Sequence, residues 1–206
     1  MRLGKTTTGL IAAAIMAWLG NGQALGGFVE EFTDKAEWIS AVGRFTTIDF
    51  TGFPDGTFIT DQYADLGILF TDGNDNIFLS DNAFPNDGAG LFGGGFTPIA
   101  VSFDTPQAWI AVDFPGAVQF ELFREGELIY TSSLFGGGGV GFFAGLVSSE
   151  LFDAAVILDP DDQSVFIDDL HFGVPAPGAI ALLALASLFS TRRRRSGVTG
   201  AASTED

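Results

Sequence analysis

The chain has 206 residues, a formal net charge of −17 and no cysteine. Without thiols there are no disulfide staples, thiolate metal ligands or cysteine nucleophiles, and the acidic balance opposes nucleic acid and anionic lipid headgroups as partners. Hydrophobic residues make up 47% of the chain, enough for a core of ordinary size.

Residues 1–24 read as a secretory signal peptide. Arg2 and Lys5 form a short basic region, Leu10 to Leu19 an apolar core, and Gly22-Gln23-Ala24 a small-x-small cleavage site, with cut by signal peptidase expected after Ala24. Six of the nine basic residues lie in the terminal segments. Between Leu25 and Gly173 only Lys35, Arg44 and Arg124 face 24 acidic residues, a net −21.

Residues 27–173 predict one all-β domain. The capping-box spacing of Asp34-Lys35-Ala36-Glu37 predicts one short N-terminal helix, with Ala36, Ile39 and Val42 on its apolar face and Trp38 extending it. Strands follow at Thr46 to Thr51, Gly67 to Thr71, Asn76 to Ser80, Ile99 to Asp104 and Trp109 to Phe114. Val118 to Leu122, Leu128 to Ser132, Val140 to Val147, Ala154 to Leu158 and Ser164 to Phe172 continue the series, with a tight hairpin at Glu125-Gly126. Alternating hydrophobics with turns every 8–12 residues predict an antiparallel β-sandwich or jelly roll. Gly88 to Gly95 reads as a loop.

Residues 174–195 have three parts in fixed order. Val174-Pro175-Ala176-Pro177 punctuates the chain, because proline fixes φ and removes a backbone donor. Residues 178–191 form an apolar helix that is short for the ~30 Å hydrocarbon core. Arg192, Arg193, Arg194 and Arg195 then hold its end at the cytoplasmic face. Residues 196–206 read as a disordered tail.

This tail resembles the PEP-CTERM sorting signal, with Ala176 standing where that family most often has Glu. The resemblance implies recognition by an exosortase, transient inner-membrane association, and delivery to the cell surface or extracellular matrix. Ile48-Asp49-Phe50, Tyr63 to Phe70 and Val165 to Leu170 resemble phrases in the small β-sandwich modules that often precede such tails. That second resemblance implies a jelly roll akin to galactose-binding-like or carbohydrate-binding modules.

Site candidates are few. Asp168 shares the parity of Phe166, Leu170 and Phe172 in the closing segment, which points a carboxylate at the core. Such a group must be paired, hydrogen-bonded, protonated or metal-bound; with three basic side chains in the domain, the readings left open are backbone hydrogen bonds, a structural Ca²⁺, or a β-bulge that turns the side chain outward. Asp72, Asn74 and Asn76 alternate like the start of a calcium loop, but position six is Ile77 and position twelve Ala83, so the full pattern fails. The lone His171 has the parity of the face away from the core, and no catalytic constellation surrounds it. Trp109 and Tyr63 are the candidates for stacking on a sugar ring. The reading is an exported, exosortase-sorted protein without catalytic activity, associated with exopolysaccharide. The alternative is a lectin-like carbohydrate-binding module with or without calcium.

Overall fold

The computed structural model describes residues 28–71, 76–84, 88–137, 139, 141–161 and 164–174. The signal peptide, the sorting segment from Pro175 onward, the arginine cluster and the tail lie outside the described residues. So do Asp72 and Asn74. Among the described residues no helix is long and apolar enough to cross a membrane.

The fold is an antiparallel β-sandwich with one short helix. Strands β1 (Val29–Phe32), β2 (Thr46–Ile48), β3 (Ile68–Thr71), β6 (Ile99–Phe114), β7 (Ala117–Arg124), β8 (Glu127–Thr131), β9 (Phe135–Gly136), β10 (Phe142–Leu158) and β12 (Leu170–Gly173) form the larger sheet. Its main order is β2-β12-β6-β10-β7-β8, with β1 on β10, β3 on β6 and β9 on β7. The smaller sheet has the order β11-β5-β4, from Val165–Ile167, Gly88–Gly93 and Ile77–Phe84. Glycine thus occupies a central strand where the sequence suggested a loop. Leu91 faces the core, and a Cβ on Gly93 would meet the Thr97 carbonyl, so that position has room only for glycine.

Period-2 alternation builds the core. Ile77, Leu79, Leu91, Val165 and Ile167 of the smaller sheet meet Ile99, Val101, Ile110, Val112, Phe120 and Leu122 of the larger one. Two pairs of expected strands fuse into long ones, β6 with 16 residues and β10 with 17. Register shifts between Val147 and Phe152 and again before Ala154 reset which residues face inward. The hairpin at Glu125-Gly126 forms as expected, with φ of 52° and 81° at its two residues, the left-handed pair of a type I′ turn.

The helix α1 (Lys35–Ala41) starts where the sequence placed it, with the Asp34 carboxylate accepting from Glu37 N at 2.9 Å. Its buried face differs from the expected one. Ala36 and Ile39 are exposed, and Trp38 is fully buried with Val42 beside it. The reason is the partner surface: Trp38 sits over Gly145 of β10, beside Phe45 and Phe143. Trp109, Ala108 and Ala111 of β6 complete this second cluster on the outer face of the larger sheet.

A methyl group added at Gly145 would stand 2.5 Å from Trp38 Cδ1. Gly145→Ala should therefore cost ~1–3 kcal/mol in urea unfolding, by overpacking, and Trp38→Ala ~3–5 kcal/mol. Gly137 has open space around it, so Gly137→Ala should stay within about 0.5 kcal/mol of the parent.

Candidate functional site

Two groups of side chains stand out, one polar and one aromatic. The polar group lies under α1. Asp113 is the outward-facing acid in the otherwise apolar Trp109-to-Phe114 run of β6. Its Oδ2 accepts from Lys35 Nζ of α1 at 2.6 Å and from His171 Nε2 of β12 at 3.2 Å. Lys35 also lies 3.6 Å from Asp169 Oδ2. On the far side of the imidazole, Thr47 Oγ1 is 2.9 Å from Nδ1. The geometry assigns the imidazole proton to Nε2, facing the carboxylate, and leaves Nδ1 to accept from the Thr47 hydroxyl.

His171 is 2% exposed, against the expectation that its parity leaves it outside. The parity itself holds. What the sequence could not show is that α1 covers this face, so the ring lies among Trp38, Phe45 and Phe143. Burial alone would raise the Asp113 pKa, but the hydrogen bonds from His171 and Lys35 and the Lys35 charge outweigh it, holding the carboxyl below its ordinary value of 3.8. One ligand atom each from Asp113, Asp169 and His171 lie within 4.8 Å of one another, a spacing that suits a divalent cation. The Lys35 ammonium already supplies positive charge there. The chemistry this arrangement performs is to tie helix to sheet through a neutralised carboxylate.

Asp168 sits in a bend, not in a strand. The closing segment leaves the smaller sheet after Ile167 and joins the larger one at Leu170. Parity inverts across this bend: Val165 and Ile167 face the core while Phe166 is half-buried on the outer side. The continuous strand that pointed Asp168 inward is therefore absent. Asp168 is half-buried, its backbone N–H donates to Asp113 O at 2.7 Å, and Asp113 N donates to Asp169 O at 3.1 Å. Asn76 is exposed, and its backbone carbonyl accepts from Gly94 N.

Of the two expected stacking residues, Trp109 offers no sugar platform and Tyr63 is half-buried. Trp109 is 4% exposed, its Nε1 has no hydrogen-bond partner among the described residues, and Gly173 passes beneath the ring. Tyr63 packs against Phe50, Phe53 and Phe70 at ring separations of 5.8–5.9 Å. Burial, with the nearby Asp49 charge, pushes its phenol up to about 12.

The aromatic surface lies elsewhere, on the outer face of the smaller sheet. Phe78 of β4 pairs in register with Phe92 of β5, and Phe92 with Phe166 of β11. Phe58 bridges to Phe78 from the preceding segment. Successive ring centroids from Phe58 to Phe166 are 6.1, 5.0 and 4.2 Å apart. Phe58 is 54% exposed and the other three are half-buried. The signal was present in the sequence: each of Phe78, Phe92 and Phe166 is flanked on both sides by residues that face inward or are glycine. Reading Gly88 to Gly95 as a loop hid the middle ring.

No family model and no curated protein matches this chain. Solved structures that are similar include a point mutant of CBM29-2, a family 29 carbohydrate-binding module. It is 11% identical with a TM-score of 0.40, over 65% of this chain and 94% of that one. A second CBM29-2 mutant, complexed with mannohexaose, gives 11%, 0.39, 64% and 92%. A TM-score of that size does not define a common fold, so the site is read from its own residues.

The Asp113 pKa is depressed on folding, so its contribution is present above the unfolded value and is lost as pH falls through the folded one. The urea midpoint of the parent should drop below about pH 4 more steeply than that of Asp113→Asn, which carries no titrating group there. Parallel curves for the two proteins between pH 6 and pH 3 would show that the Lys35 and His171 contacts do not stabilise the carboxylate.

Proposed function

We propose that this chain is an exported, non-catalytic module that holds neutral polysaccharide, and that the four-phenylalanine row is its contact surface. The observation that supports this reading is the row itself, Phe58, Phe78, Phe92 and Phe166 in line on an outer sheet face. The C–H faces of a pyranose are apolar and pack on aromatic rings, while its hydroxyls stay in water. Charge supports a neutral ligand. The domain carries −21, Lys35 is paired with Asp113, and Arg124 with Glu150 at 2.9 Å. A carboxylated or sulfated polymer meets repulsion there.

Delivery is the second half of the proposal. Signal peptidase removes residues 1–24, and an exosortase recognises Val174 to Pro177 with the apolar segment and arginine cluster behind it. This places the module at the cell surface or in the extracellular matrix, among exopolysaccharide. Mass spectrometry of both ends of the exported protein tests the route, with an N-terminus at Leu25 and a C-terminus near Pro177 expected. An intact chain recovered from the cytoplasm would refute it.

Affinity electrophoresis tests the binding. The parent should be retarded in gels containing a neutral polymer such as glucomannan and not in gels containing polygalacturonate. Phe58→Ala and Phe92→Ala, with unchanged circular dichroism, should migrate faster than the parent in the neutral gel. Equal mobility with and without every neutral polymer tried would end the proposal. Repeating the gels with a chelator separates calcium-dependent from calcium-independent binding.

A further inference from the structure

Resting on that reading, we infer that the ligand is an extended neutral glycan lying across the strands of the smaller sheet, with four consecutive sugar units spanning the row, which meets them with both ring faces and ring edges because successive ring planes lie at 70°, 86° and 24° to one another. Register fixes the direction. Phe78, Phe92 and Phe166 are cross-strand partners, so the line through them runs perpendicular to the strands, and Phe58 extends it past the β4 edge. The ring spacing follows from the strand separation of ~4.8 Å, which is close to the repeat of pyranose rings in an extended chain. Among the described side chains the aromatic surface stops at once along the strands. The next rung pairs Ser80 with Gly90. On the other side is Gly94, over which the Phe78 and Phe92 rings lie; a Cβ there would be 2.9 and 3.6 Å from their Cε1 atoms. Among the described side chains the apolar track is one ring wide and four rings long.

Its size and charge select the occupant. At ~200 Å² per ring, with three of the four half-buried, the row offers on the order of a few hundred Å², short of the ~800 Å² per partner of a stable protein interface. A second copy of this chain would also bring another −21 domain against the first. A narrow, uncharged, repeating ligand satisfies both limits.

The test is calorimetric titration of the full-length chain with cello- and manno-oligosaccharides of two to six units. Affinity should rise with each unit up to four and then level off. Phe92→Ala, in the middle of the track, should lower the affinity for the tetramer about tenfold. Phe58→Ala removes the end ring and should move the plateau from four units to three while leaving the trimer's affinity nearly unchanged. Gly94→Ala keeps every ring but displaces Phe78, and should weaken the tetramer without unfolding the protein. Affinity independent of length, a plateau that Phe58→Ala does not shift, or retention by a polymer when no oligosaccharide binds would each overturn the crosswise track and leave the polysaccharide reading standing. Failure to bind any neutral polymer in the gels would remove that reading itself. Sedimentation showing a dimer that Phe58→Ala dissociates would assign the row to a second copy instead.

Discussion

The pair of long strands β6 and β10 buries both of its faces, and the rest of the molecule is arranged to allow it. Between Gln107 and Val112 every residue of β6 is buried, in a sheet of a kind that commonly leaves one side to water. The inner residues Ile110 and Val112 meet the smaller sheet. Trp109 and Ala111 point the other way and need a cover. Helix α1 is that cover, and its one fully buried side chain, Trp38, fits because Gly145 leaves a gap in β10. A seven-residue helix is too short to hold itself together in water. It persists because the sheet beneath it is apolar.

The same constraint explains where the scarce cations go. Asp113 continues the helix-side parity of Trp109 and Ala111, so it lies at the rim of the covered zone, half-buried and charged. An unpaired carboxylate there is costly. Lys35 reaches it from the first turn of α1 and His171 from β12, joining three elements at one oxygen. A second acid, Glu31, does comparable work at the edge: burial opposes its charge, but Ser133 and Tyr130 donate to it and bring its pKa below the ordinary value. In a domain with 24 acids and three bases, hydroxyl and amide donors take the place of an ammonium at Glu31.

Much of the fold was legible in the sequence because its signals are local. Asp34 and Glu37 marked the helix start, Glu125-Gly126 the hairpin, and the Ile99–Val101–Phe103 alternation a core-facing strand; all three depend on backbone geometry within a few residues. The misreadings share a different cause. His171 was placed outside, Trp109 in the open and Ile39 inside because each assignment needs knowledge of what covers the second face of the sheet, which no local pattern carries. Asp168 failed for a related reason. Strand periodicity assumes one sheet, and the chain changes sheets at Asp168-Asp169, where parity inverts. The terminal sorting segments were read from their own order of residues and do not depend on the sandwich.

That inversion also created the aromatic row. Had the closing strand run straight through, Phe166 would share the inner face with Leu170 and Phe172, and β11 would present Val165 and Ile167 to solvent. The bend reverses this, aligning Phe166 outward with Phe92 and Phe78 across three strands. Rings on an outer face gain nothing from the core that their inward neighbours do not already provide, and they cost solvation where they remain exposed. Fold stability accounts for Ile77, Leu79, Leu91, Val165 and Ile167. It does not account for three phenylalanines in register on the opposite side of one small sheet. Three rings held in register across a sheet, on a domain otherwise so acidic, are what the proposed glycan contact uses.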